Sequence, residues 1–93
     1  MDLDRLQTFT HETFGRQLES MSVDYGVARL LTQTGDLGDA VLHQGDVAKE
    51  ITAVMIVVAA LANRTGVKMA EALDQHLYNR DPKEILAAID KKK

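Results

Sequence analysis

The segment Ile51 to Ala62, ITAVMIVVAALA, constrains this chain more than any other, because wound into a helix it is apolar on every side. A surface helix of a small domain carries an apolar stripe and a polar face, so a helix without a polar face belongs at a centre. A chain of 93 residues has little with which to surround it. Domains of this size bury only about 60 to 65% of the surface their unfolded chains expose. The sequence contains no cysteine, which rules out a disulfide framework and a thiolate metal site and leaves subunit packing as the way to enlarge the core. The run is therefore predicted to lie at a subunit interface, against its own copies and the preceding helix. It falls short of the ~20 residues that span a bilayer. The opening MDLDRLQTF places acids where a secretory signal carries positive charge. The expectation is a soluble, cytoplasmic protein with no membrane association.

The rest of the chain also reads as helix. Proline occurs once, at Pro82, and no segment sustains the alternation of apolar and polar residues that marks a strand. The fold class predicted is all-α, a single domain over residues 1–90, with four main helices and a short fifth. The first opens after Asp2 or Asp4, turns Leu3, Leu6, Phe9 and Phe14 inward, and ends between Gly15 and Leu18. Residues 19–26 suit a connector through Ser20, Ser22, Asp24 and Gly26. The second helix is expected from Val27 to His43, with Val27, Leu30, Leu31, Thr34, Leu37 and Val41 as its inward stripe. Gly35 and Gly38 inside it each cost up to ~1 kcal/mol of helix propensity, so they are expected to serve a packing or close-approach need. Gly45 closes a short loop, Asp46 caps the third helix, and Gly66 follows its end in the position that favours a left-handed residue. A fourth helix is expected from Lys68 to Leu77, and Pro82 starts a last one holding Ile85, Leu86 and Ile89.

Charge excludes one class of partner. The net charge is −3 with acids and bases interspersed, so there is no footprint for a nucleic-acid backbone. The basic residues Lys91, Lys92 and Lys93 read as a disordered, solvated tail.

Few residues could carry chemistry. No Ser, His and Asp converge as a hydrolytic set, GDLGD falls inside a helix rather than in a phosphate-binding loop, and His11, His43 and His76 have no second histidine one turn away. The informative feature is acidic: Asp36 and Asp39 on the second helix, then Asp46 and Glu50 at the start of the third. Antiparallel neighbours that each present carboxylates can gather oxygens around Mg²⁺. The alternative, solvated surface charge with Asp46 as a cap, fits the same spacing.

The stretch LLTQTGDLGDAVLHQGDVAKEITAVMIVVAALANRTGVKMAEAL, followed by LYNRD and preceded by the opening LDRLQTF, resembles the MazG-like all-α nucleoside triphosphate pyrophosphohydrolases. The resemblance covers roughly residues 30–81. It implies a helical bundle completed by homodimer or homotetramer formation, and Mg²⁺-dependent (or Mn²⁺-dependent) hydrolysis of NTPs or dNTPs to monophosphate and pyrophosphate. The family pattern has an ExxE pair on one helix and an ExxD pair on the next. Matched on Gly35 and Leu37, those positions fall on Gln33 and Asp36, then on Glu50 and Ala53. The resemblance thus assigns Asp36 and Glu50 as catalytic metal ligands, Asp39 as a substitute ligand with Asp46 as another, and Lys68, Asn79 and Arg80 as phosphate contacts. Ala53 has no donor atom and Gln33 offers only a neutral carbonyl, so the resemblance implies weakly held metal and weak or altered turnover. The competing expectation is a catalytically inactive oligomer that binds nucleotide or another protein.

Overall fold

A computed structural model describes residues 2–20 and 22–91, and every regular element among them is helical. Helix α1 spans Leu3–Phe14 and is opened by Asp2, whose carboxylate accepts hydrogen bonds from the Asp4 and Arg5 amides. It continues through a π-helical turn, Gly15–Glu19. Helix α2, Val23–Leu42, starts earlier than the sequence pattern predicts. Ser22 caps it, its hydroxyl accepting from the Tyr25 amide at 3.1 Å, so most of the expected connector is helix. Helix α3 is Val47–Arg64, capped as predicted by Asp46, whose side chain accepts from Lys49 N at 3.1 Å. Gly66 follows with φ 74°, and Val67 N returns to Ala62 O at 2.8 Å, closing the helix with a left-handed residue where expected. Helix α4, Met69–Leu73, runs into a second π-helical turn, Asp74–Tyr78, and α5 spans Pro82–Lys91. Lys91 therefore belongs to a helix and not to a tail, while Lys92 and Lys93 lie outside the described residues. No single described helix is long and apolar enough to cross a membrane.

The organising unit is the antiparallel α2–α3 hairpin. Its turn uses Gln44 at φ 57°, and Gly45 N donates to Ala40 O at 2.8 Å. A Cβ on Gly45 would lie 3.1 Å from Ala40 Cα, so the turn needs glycine there for space. At the other end a Cβ on Gly26 would stand 2.7 Å from Leu61 Cδ2, the tip of a side chain that would have to turn aside. The glycines expected to serve close approach, Gly35 and Gly38, have nothing near their Cβ positions within the chain. The need lies instead at the glycine assigned to the connector.

Helix α3 is central, as its composition predicts: Val57, Ala59, Ala60 and Ala62 are buried, and Ala40 of α2 completes the buried apolar set. The inward faces of its neighbours differ from the apolar stripes read in the sequence. On α1 the buried residues are Gln7 and Thr10, while Phe9 is 57% exposed. Gln7 can be buried because its amide is satisfied: Nε2 donates to Asn63 Oδ1 (3.0 Å) and Val67 O (2.8 Å), and Oε1 accepts from Met69 N (2.7 Å). Asn63 Nδ2 in turn donates to Gln7 O at 2.9 Å and Glu19 Oε2 at 3.3 Å. One polar cluster thus ties α1, its π turn, the end of α3 and the start of α4.

On α2, Gly26 and Ala40 are buried and Leu30, Gln33 and Leu37 half-buried, whereas Val27, Leu31, Thr34 and Val41 are exposed, Leu31 at 67%. Four of the six residues of the predicted stripe therefore face outward. At about 100° per residue the exposed Val23, Val27, Leu31 and Val41 fall on the flank of α2 away from α1, and Ile51 and Val58 fall on the corresponding flank of α3. The hairpin consequently shows an uncovered apolar face. Helix α5 adds Leu86 and Ile89, also exposed.

Candidate functional site

On its covered side the hairpin forms a cleft of about 230 Å³ with the end of α1. Phe14, Gln17 and Leu18 come from α1 and its π turn, Arg29 and Gln33 from α2, and Ala53, Ile56 and Val57 from α3. Arg29 and Gln33 are one turn apart on α2 and so share a face. Ala53 and Ile56 reach the same cleft from α3, Val57 being the buried residue behind them. No acidic side chain lines this space. Arg29 Nε is buried and, among the described residues, donates to no acceptor.

Gln33 and Ala53, the two of the four acidic positions of the family pattern that carry no acid in this chain, are thus brought into one cleft across the hairpin. The same antiparallel register, carried one turn toward Gly45, sets Asp36 level with Glu50. Glu50 is half-buried and Asp36 exposed. Asp39 points elsewhere: it pairs with His43 at 3.5 Å along the outer face of α2, both side chains being largely exposed. Asp46 is occupied in capping α3. Among the described residues no three His, Cys, Asp or Glu side chains come together in a group able to hold a metal ion. Of the four acids, Asp36 and Glu50 are the two left level with each other across the hairpin, and a magnesium ion held there would need further oxygens from water or substrate. Asp39 is separated from the other two by helix geometry, since at about 100° per residue three positions past Asp36 it has rotated further from α3.

The residues expected to meet phosphate are also apart from this cleft. Lys68 lines a different, open cleft of about 500 Å³ between α1 and α4, together with Asp4, Thr8, His11 and Glu71. Asn79 and Arg80 are exposed at the exit of the second π turn, where Asn79 N donates to Asp74 O and Arg80 N to Leu77 O. Their local structure is a helix end.

Two features escaped sequence reasoning. Arg29 stands one turn before Gln33, a spacing visible in the sequence, but only the packing of Phe14 and Leu18 against α3 makes that face a cleft. The second is the ion pair of His11 Nδ1 with Glu19 Oε1 at 2.9 Å. The hydrogen bond to Glu19, and its negative charge, hold the His11 pKa above the ordinary value of 6.5. Comparison with family models, with curated proteins and with solved structures finds no match.

Proposed function

We propose that this chain is a MazG-type, nucleotide pyrophosphohydrolase-like helical homo-oligomer whose NTP or dNTP hydrolysis is weak or altered. The observation that carries the reading is the meeting of Gln33 and Ala53 in one cleft across the α2–α3 hairpin. It supports the sequence match, because two positions distant in the chain, one from each of the family pattern's two acidic pairs, become neighbours. It also supports impaired turnover, because neither residue offers a charged ligand and the remaining carboxylates form no group of three. That second point favours the stronger form of the proposal, an assembly that has lost catalysis and keeps nucleotide affinity or a protein-interaction role.

Surface area supports self-association. The chain exposes 7004 Å². A compact monomer of 10.3 kDa exposes roughly 5,400 Å². The excess, roughly 1,600 Å², is about twice what each partner buries in a standard interface. The radius of gyration, 15.0 Å, likewise exceeds the roughly 12 Å of a compact chain of this length. Val27, Leu31, Val41, Ile51 and Val58 supply an apolar face for a second copy to cover.

The test is to incubate the purified protein with each common NTP and dNTP and Mg²⁺ or Mn²⁺, following pyrophosphate release. Slow release abolished by Glu50→Ala and by Asp36→Ala supports the enzyme. Absence of release, with a nucleotide-dependent rise in melting temperature, supports the binder. Neither release nor stabilisation by any nucleotide sinks the nucleotide reading in both forms and leaves the protein-interaction role alone.

A further inference from the structure

We propose that the cleft between α1, α2 and α3 binds a small organic anion, a carboxylate or phosphate on an apolar body, directly through Arg29 and without a divalent cation. The cleft is the one on which the nucleotide reading rests, but the inference needs neither a metal nor a nucleotide, so chelator-resistant binding of the small anions separates the two. It starts from Arg29. A guanidinium is always charged and presents its donors in a planar fork, and its Nε–H is one prong. Here that prong is buried with no acceptor among the described residues, and no ion pair involves Arg29. Arg29 as a whole is half-buried and lines the cleft, so the terminal NH2 groups of the fork, rather than the sealed Nε–H, are the donors an anion can reach, and the cleft supplies no carboxylate to occupy them.

The lining defines what would pair with those donors. Gln17 and Gln33 are the other polar side chains of the cleft, and each can donate its amide N–H to an oxygen held by the guanidinium. Phe14, Leu18, Ile56 and Val57 form apolar walls, and the absence of a long side chain at Ala53 leaves the room between them. Charge at one point and apolar surface around it match an anionic head on an apolar ring or short chain. A volume of about 230 Å³ is below the roughly 300 Å³ at which drug-sized sites begin, so the occupant is one ring or its equivalent. Carboxylate and phosphate both suit the fork geometry, which is the chemistry they share. A cation is disfavoured at this point by Arg29 itself.

Phenyl phosphate and benzoate are suitable probes, with benzamide as the neutral counterpart, titrated into the full-length protein in the presence of a chelator and followed by amide NMR shifts. The expected result is saturable shifts for one or both anions, centred on Arg29, Gln33 and Ala53, with benzamide weaker by about tenfold or more. The ratio of the two anion affinities assigns carboxylate or phosphate. Arg29→Gln should weaken the anion by a similar factor. Ala53→Leu, which fills the cleft and leaves Arg29 in place, should abolish binding even if the arginine variant folds poorly. Equal binding of benzamide, unchanged affinity in Arg29→Gln or Ala53→Leu, binding only with added Mg²⁺, or no saturable shift in the wild type would each overturn the proposal.

Discussion

Gly26 of α2 lies against Leu61 of α3 so closely that a Cβ at Gly26 would stand 2.7 Å from Leu61 Cδ2 and 3.6 Å from its Cγ. The atom met is the tip of a side chain, so an added methyl would require Leu61 to turn aside. Ala at a helix interior gains up to ~1 kcal/mol over Gly, while forcing a packed side chain off its rotamer costs roughly 0.5–1.5 kcal/mol. Gly35 has nothing near its Cβ position, so Gly35→Ala collects the gain without the clash. Urea unfolding should rank Gly35→Ala above the wild type and Gly26→Ala below Gly35→Ala by roughly 0.5–1.5 kcal/mol. Equal stabilisation by both would mean that the hairpin is looser at Gly26 than described.

Gln7 is the polar residue on which the docking of α1 depends. Its side chain makes three hydrogen bonds, to Asn63, Val67 and Met69, at 2.7 to 3.0 Å. Gln7→Leu leaves the Met69 amide and the Val67 carbonyl without that partner. A loss of about 2–4 kcal/mol is expected, since each buried group left unpaired costs roughly 1–3 kcal/mol. Chemical denaturation measures it, and a loss below ~1 kcal/mol would mean that water replaces the amide.

The His11–Glu19 pair gives a pH dependence of known sign. Because the folded-state pKa of His11 lies above 6.5, folding favours the protonated ring. Its contribution is present in full below about 6.5 and fades as pH rises through the folded value. The urea midpoint should therefore fall across that window in the wild type, and this component should vanish in both His11→Gln and Glu19→Gln. His11 is solvent-exposed, so the effect will be small and will shrink with added salt. A midpoint that rises with pH over the same window would reverse the assignment.

Replacing Gln33 by Glu together with Ala53 by Asp restores acids at both positions of the cleft. Isothermal titration should then show Mg²⁺ or Mn²⁺ binding that the wild type lacks or shows only weakly, with Asp36 and Glu50 level with each other one turn along. If the double variant takes up neither ion, the match of these positions to the family pattern is wrong.

The pattern of elements was legible in the sequence where local chemistry decides structure. Asp46 and Asp2 cap the helices they precede, Gly66 takes the left-handed position after α3, and the apolar run of α3 provides most of the buried residues. The faces were less legible. Burial of Gln7 depends on partners 56 to 62 residues away, and a periodicity argument ranks it below Phe9. Gly26 read as a connector because its role, admitting Leu61, is tertiary. Exposed Val27 and Leu31 followed the same helical period as the inward Leu30 and Leu37, and a helix with apolar residues on two flanks does not reveal which flank its own chain covers. The acidic positions were legible as residues and not as a group: Asp39 turns to His43, while Gln33, Ala53 and Arg29 form the cleft.

The central claim is that copies of this chain cover the apolar face presented by Val27, Leu31, Val41, Ile51 and Val58. Multi-angle light scattering on the eluting protein tests it most directly. The account predicts a mass of two or more chains, each of 10.3 kDa. A single-chain mass that persists as concentration is raised would contradict it.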